Sequence, residues 1–136
     1  MNRPSNSDAI LITGAASGIG RATAIRFSAL GAKVTIGNVN LEGLSETATL
    51  MSGEVQTIGF DAMDFTSCLS LVKASAKEGL DIVCNITGVL DWGKTEKFAR
   101  LIQVNLNATY AICHAAIPHL IKLKGVINTA STAAIV

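Results

Sequence analysis

Short runs of consecutive apolar residues alternate along the chain with longer segments whose apolar positions recur at helical spacing. Ala9-Ile10-Leu11-Ile12-Thr13 reads as a buried strand, and a Gly-rich turn after it opens a helix ending near Leu30. Gly31 stands where a helix C-terminal glycine belongs. Val34-Thr35-Ile36 reads as a second strand, Leu41 to Met51 as a helix closed by Gly53, and Val55 to Phe60 as a third strand. Ser67 to Glu78 reads as a helix with Gly79 after it, and Asp81-Ile82-Val83-Cys84 as a fourth strand. A long helix is expected to begin after Lys94 and run to about Lys122, before a fifth strand from Gly125 to Ala130. Strands alternating with helices of this length imply right-handed crossovers and a parallel sheet covered on both faces. The expectation is one α/β domain over residues 9–136, preceded by a poorly ordered segment, 1–8.

Composition narrows the function classes. Of 136 residues, 49% are apolar and 15% charged, against about 25% charged in a typical soluble domain. With a mean hydropathy of +0.44, the composition argues against disorder of the chain as a whole, and self-association is expected. Eleven basic and ten acidic side chains leave a net charge of +1, without the basic stripe of a nucleic-acid binder. No stretch reaches the 18 or so uninterrupted apolar residues of a membrane span. The segment Met1 to Asp8 lacks the apolar core of a secretory signal. Cys68, Cys84 and Cys113 are an odd set without C-x-x-C spacing, which disfavours disulfides and zinc and points to a reducing, cytoplasmic compartment. There is no H-E-x-x-H and no G-K-[ST] after the glycines, and His114 and His119 on an apolar helix read as core or interface residues.

The chemistry-bearing motif is Thr13-Gly14-Ala15-Ala16-Ser17-Gly18-Ile19-Gly20, between the first strand and the first helix. Gly14 allows the tight turn, Gly18 lets backbone approach a pyrophosphate, and Gly20 permits close packing of helix on sheet. The helix N-terminus then offers free N–H groups and a positive dipole end to the phosphates.

This motif resembles the cofactor motif of the short-chain dehydrogenase/reductase family, and further markers follow in that family's order. Asp61-Ala62 is similar to the Asp-hydrophobic pair that holds the adenine, and Asn85-Ile86-Thr87-Gly88 to the Asn-Asn-Ala-Gly after strand four. Asn105 matches the asparagine of the long helix, and Asn128-Thr129-Ala130-Ser131 the strand-five segment ending in the active-site serine. The resemblance implies a Rossmann-type sheet in the order 3-2-1-4-5, with the C-terminal half of the family fold missing. It implies hydride transfer between a nicotinamide and a small alcohol or ketone. Ser17 and Ile19 in the turn, Asn38 at the end of strand two, Asn85 and Gly88 complete the implied cofactor set. Ser131 and Asn105 are the implied catalytic-site residues.

The family's Tyr-x-x-x-Lys, which supplies the general acid/base, occurs nowhere in these 136 residues. Tyr110, the sole tyrosine, is followed four residues later by His114 on the helix before strand five, where an interface role is expected. A missing proton donor costs about 10²- to 10⁴-fold in rate, so the chain is expected to bind a dinucleotide yet be inert, or nearly so, by itself. A non-catalytic binding module and a fragment of a longer enzyme are the rival readings.

Asn38 stands where NAD-preferring relatives place an Asp, and no basic neighbour invites a 2′-phosphate, with Arg21 of undetermined direction. NAD is therefore slightly favoured over NADP. Ile86 and Thr87 depart from the family motif and are expected to weaken the bonding that ties strand four to its neighbours. Leu101 to Ile121 carries no charged side chain, so that helix is expected to be buried on more than one side. The resemblance implies that it packs against a symmetry mate in a homodimer or larger oligomer. The missing half would also leave strand five an unguarded edge with a bare apolar face.

Overall fold

The computed structural model describes residues 8–77, 79–90, 97–120 and 125–131. Five strands, β1 (Ala9–Thr13), β2 (Lys33–Asn38), β3 (Val55–Gly59), β4 (Ile82–Asn85) and β5 (Gly125–Asn128), form one sheet in the order β3-β2-β1-β4-β5. Each neighbouring pair is parallel. This is the Rossmann-type order that the family resemblance implied. The alternation of side chains along each strand sends Ile10, Ile12, Val34, Ile36 and Cys84 to one face, under α1 (Gly18–Ala29) and α2 (Leu41–Thr49). Leu11 and Val83 point to the other face, under α3 (Phe65–Ser75) and α5 (Ala108–Ala116). A parallel sheet buried on both sides is what such near-continuous apolar strands require.

Element bounds shift where capping chemistry decides them. The third helix starts at Phe65, not Ser67, because the Asp64 carboxylate accepts the Thr66 N–H at 2.9 Å and caps it. It ends at Ser75, ahead of the expected limit at Glu78, a residue outside those described. The second helix likewise stops at Thr49, short of Met51. Residues 1–7 lie outside the described set, whereas Asp8 is buried and its carbonyl accepts the Lys33 N–H at 2.9 Å.

The expected long helix is present without interruption from Phe98 to His119 but is not α-helical throughout. It runs as α4 (Phe98–Ile102), one π-helical turn (Gln103–Asn107), α5 and a short 3₁₀ turn (Ile117–His119) holding Pro118. The expected limits at Lys94 and Lys122 lie outside the described residues. Nor is the helix buried on several sides within one chain. Val104, Ala108, Ala111, Ile112 and Ala116 pack with Cys68, Leu71 and Val72, while Leu106, Tyr110 and Ile117 are 59%, 63% and 64% exposed. No described helix is long and apolar enough to cross a membrane.

Burial governs the thiols. Desolvation pushes Cys84 up to about 11, and Cys68 is raised by burial and then by the charges of Asp64 and Asp61.

Candidate functional site

All five strands point their C-terminal ends at one edge of the sheet, where the connecting loops enclose a crevice of about 350 Å³. A crevice beyond the carboxyl ends of the strands is the usual ligand position in open α/β sheets. The glycine turn forms one wall. Gly14 has φ +74° and its N–H bonds the Gly37 carbonyl at 2.9 Å. A Cβ there would meet the Thr87 nitrogen at 2.7 Å, so the turn and the β4 loop can touch only because residue 14 has no side chain. A Cβ on Gly20 would lie 2.1 Å from the Gly14 carbonyl oxygen, which fixes the closeness of α1 to the turn. Gly18, at φ +53°, faces open space.

The N-terminus of α1 is left open to the crevice. The first backbone bond of the helix runs from Arg21 N–H to the Ser17 carbonyl at 3.1 Å, so the amides of Gly18, Ile19 and Gly20 precede the ladder. Ser17 makes no side-chain cap and the first turn carries no acidic residue. By contrast α2 is capped by Asn40, whose Oδ1 accepts the Gly43 N–H at 3.0 Å. Three open amides at a positive dipole end, in a glycine cradle with room above it, fit a phosphate-bearing ligand.

Asn38, Asp61, Ala62 and Gly88 line the same crevice as Gly14, Ser17, Gly18, Ile19 and Gly20. Asn38 Oδ1 accepts the Asn40 N–H at 2.9 Å, and Asp61 Oδ1 accepts the Met63 N–H at 2.8 Å. Each therefore holds a fixed rotamer at the mouth. Asn85 is buried beneath the crevice, not in its wall; its Nδ2 donates to Asn128 Oδ1 at 2.9 Å, tying β4 to β5. At Ile86 and Thr87, the departures expected to weaken this region, the backbone bonds to β1 are present, while Asn85 Oδ1 and Thr87 Oγ1 are buried without a hydrogen-bond partner among the described residues. The backbone N–H groups of Ile86 and Thr87 donate to Thr13 Oγ1 at 3.1 and 3.2 Å, bonds that any side chain at those positions would permit.

Asn105 sits in the π turn and spends its amide on Val89: Oδ1 accepts the Val89 N–H and Nδ2 donates to the Val89 carbonyl, both at 2.8 Å. Ser131 is exposed just after β5, beyond Thr129, whose N–H bonds the Asn85 carbonyl at 3.1 Å. Asn105 is thus tied to the segment after β4, and Ser131 lies three residues beyond the end of β5.

Arg21 has a definite direction that the sequence left open. Its guanidinium donates to the Ala16 carbonyl at 2.6 Å, Thr47 Oγ1 at 3.0 Å and Glu46 Oε2 at 2.8 Å, stapling α1 to the turn and to α2. Sequence reasoning also passed over Arg100, Val104 and Met63, which line the crevice. Their signal was the helical spacing of Arg100 and Val104, four apart.

The short chain dehydrogenase family profile matches residues 8–136. Over 96% of its length the chain is 35% identical to oxidoreductase YxbG of Bacillus subtilis, covering 52% of that protein. It is 32% identical to the 3-oxoacyl-[acyl-carrier-protein] reductase FabG of Thermotoga maritima, with 92% of this chain and 56% of that one aligned. The apo crystal structure of Caenorhabditis elegans glucose dehydrogenase superposes with a TM-score of 0.87 at 30% identity, covering 97% of this chain and 57% of that one. The chain spans about half the length of the curated relatives it matches. Enzymes of this family use NAD(P) and act on alcohol-type substrates. With its sheet order, its glycine cradle and a profile match from Asp8 onward, this chain belongs to the short-chain dehydrogenase family.

Proposed function

We propose that these 136 residues form the dinucleotide-binding part of an oxidoreductase that moves hydride between NAD(H) and a small alcohol or ketone. The observation that carries this reading is the uncapped N-terminus of α1 opening on a glycine-lined crevice. The backbone amides of Gly18, Ile19 and Gly20 would bind the pyrophosphate, and Asn38 the adenosine ribose. Asp61 and Ala62 would hold the adenine, and Gly88 keeps the β4 loop low enough for the ligand to lie across it. The bound nicotinamide supplies the hydride acceptor or donor. Ser131 would orient the substrate oxygen, and Asn105, through Val89, would hold the segment after β4 in place.

NAD is favoured over NADP on a physical ground. Arg21, the basic side chain nearest the glycine turn, is committed to Ala16, Thr47 and Glu46. Its guanidinium is therefore not free to meet a 2′-phosphate beside Asn38.

Proton transfer needs a positioned acid/base, and these residues contain no Tyr-x-x-x-Lys. Binding with little or no turnover is therefore the behaviour proposed for the chain as it stands. Family membership favours this oxidoreductase reading over a stand-alone binding module. The exposed Leu106, Tyr110 and Ile117 support a homodimer through the outer side of α5, and the buried unpaired Cys68 and Cys84 support a reducing, cytoplasmic setting. NADH fluorescence titration tests the proposal: saturable binding competed by NAD, and more weakly by NADP, is expected. Absence of binding by the folded chain would refute it.

A further inference from the structure

The crevice contains a cation that the reading above leaves unused. Arg100 lies on α4, and Gln103 and Val104, three and four residues on, share its helical face. Gln103 Nε2 donates to the Ala62 carbonyl at 3.4 Å, and Val104 is buried while lining the crevice. The helical face that carries Arg100 is therefore tied to the loop after β3. Arg100 itself lines the crevice with Asp61, Ala62 and Met63. Among the described residues it forms no ion pair; the two that are present join Arg21 to Glu46 and Lys33 to Glu54. The nearby carboxylate of Asp61 is instead turned to the Met63 N–H.

A guanidinium without a carboxylate partner among the described residues, at the rim of a slot walled by Ala62 and Val104, suits a flat π surface better than a second charge. Arg is planar and weakly hydrated, and it stacks on aromatic faces. The phosphates, meanwhile, are provided for by the α1 amides. We propose that Arg100 is a specificity-determining residue that stacks on the purine ring of the dinucleotide and holds it against Ala62 and Val104. This rests on the dinucleotide reading above and assigns the adenine end a cationic lid.

The test is calorimetric titration of the 136-residue chain and its Arg100→Ala and Arg100→Lys variants with NAD, AMP and nicotinamide mononucleotide. Arg100 is exposed, so folding should survive both changes, which circular dichroism would verify. Arg100→Ala is expected to weaken NAD and AMP by the same factor, about three- to tenfold, and to leave nicotinamide mononucleotide unchanged. Arg100→Lys should not restore the loss, because an ammonium has no plane to stack. Unchanged AMP affinity in Arg100→Ala would overturn the inference while leaving the dinucleotide reading intact. So would full rescue by lysine with a strong salt dependence, which would make Arg100 a phosphate contact. A wild-type chain that binds neither NAD nor AMP would overturn both.

Discussion

Asn105 and Val89 exchange two hydrogen bonds, each 2.8 Å long, between one side-chain amide and one backbone N–H and carbonyl. The bond pair fastens the π turn to the loop after β4, and that loop forms part of the crevice wall. Asn105→Ala removes both bonds and leaves Val89 to water. Because the site is exposed, the cost to stability should be small, about 1 kcal/mol. The loop should loosen, and NADH affinity should fall several-fold. Asn105→Asp retains the acceptor alone and should fall between the two in the same titration.

Gly18 and Gly20 should separate binding from folding. Alanine at Gly20 would drive a Cβ to 2.1 Å from the Gly14 carbonyl oxygen, forcing α1 away from the turn. The melting temperature should drop steeply, with a loss of about 3 kcal/mol or more. Alanine at Gly18 meets no atom but must adopt φ +53°, a cost of about 1–2 kcal/mol. Its added methyl faces the open crevice, so cofactor affinity should fall more than stability. Thermal melts beside NADH titrations check the pair.

Arg21→Ala should destabilise without changing cofactor choice. The variant loses charge-assisted bonds to Ala16, Thr47 and Glu46, of which the partly buried ones each contribute about 1.5–3 kcal/mol at most. Its ratio of NAD to NADP affinity should stay near that of the parent. Asn38→Asp, in contrast, should raise the ratio by repelling a 2′-phosphate. A marked gain or loss of NADP binding in Arg21→Ala would show that the staple is not its main role.

Legibility in the sequence followed the physics of each element. The strands were readable because Ala9–Thr13 and its companions are apolar runs too short for helices, separated by helix-length segments; their order came from the family resemblance. The glycine turn was readable because Gly14, Gly18 and Gly20 each answer a different steric need. The α3 start was readable in principle, since Asp64 is a standard capping residue, but the polar Ser67 drew the boundary inward. The π turn inside the long helix was not readable: Asn105 reaches Val89 only after the chain has folded, and nothing local marks it. Arg21 was also undecidable, since its partners Glu46 and Thr47 lie on another helix.

Alkaline pH should weaken the fold through Cys84. Its thiol titrates at about 11 in the folded chain and near 8.5 when unfolded. The unfolded state therefore loses its proton first, and stability falls as pH rises from about 8.5 towards 11, by at most about 1.4 kcal/mol per pH unit. Below pH 8 this contribution is constant. Urea melts between pH 7 and 10.5 should show a shallower decline for Cys84→Ala than for the parent, and parallel declines would count against the assignment.

The exposed side of α5 should govern association. Tyr110 and His114 stack with ring centres 5.8 Å apart, beside exposed Leu106 and Ile117. Leu106→Lys with Tyr110→Glu would place two unpaired charges in a buried interface. Light scattering should report a dimer or larger species for the parent and a monomer for the double variant.

The dinucleotide site itself is tested most directly by a crystal of the chain soaked in NAD. The predicted result is density for the pyrophosphate within hydrogen-bonding reach of the Gly18, Ile19 and Gly20 amides. A correctly folded chain whose crevice stays empty at saturating NAD, or whose ligand lies away from the start of α1, would contradict it.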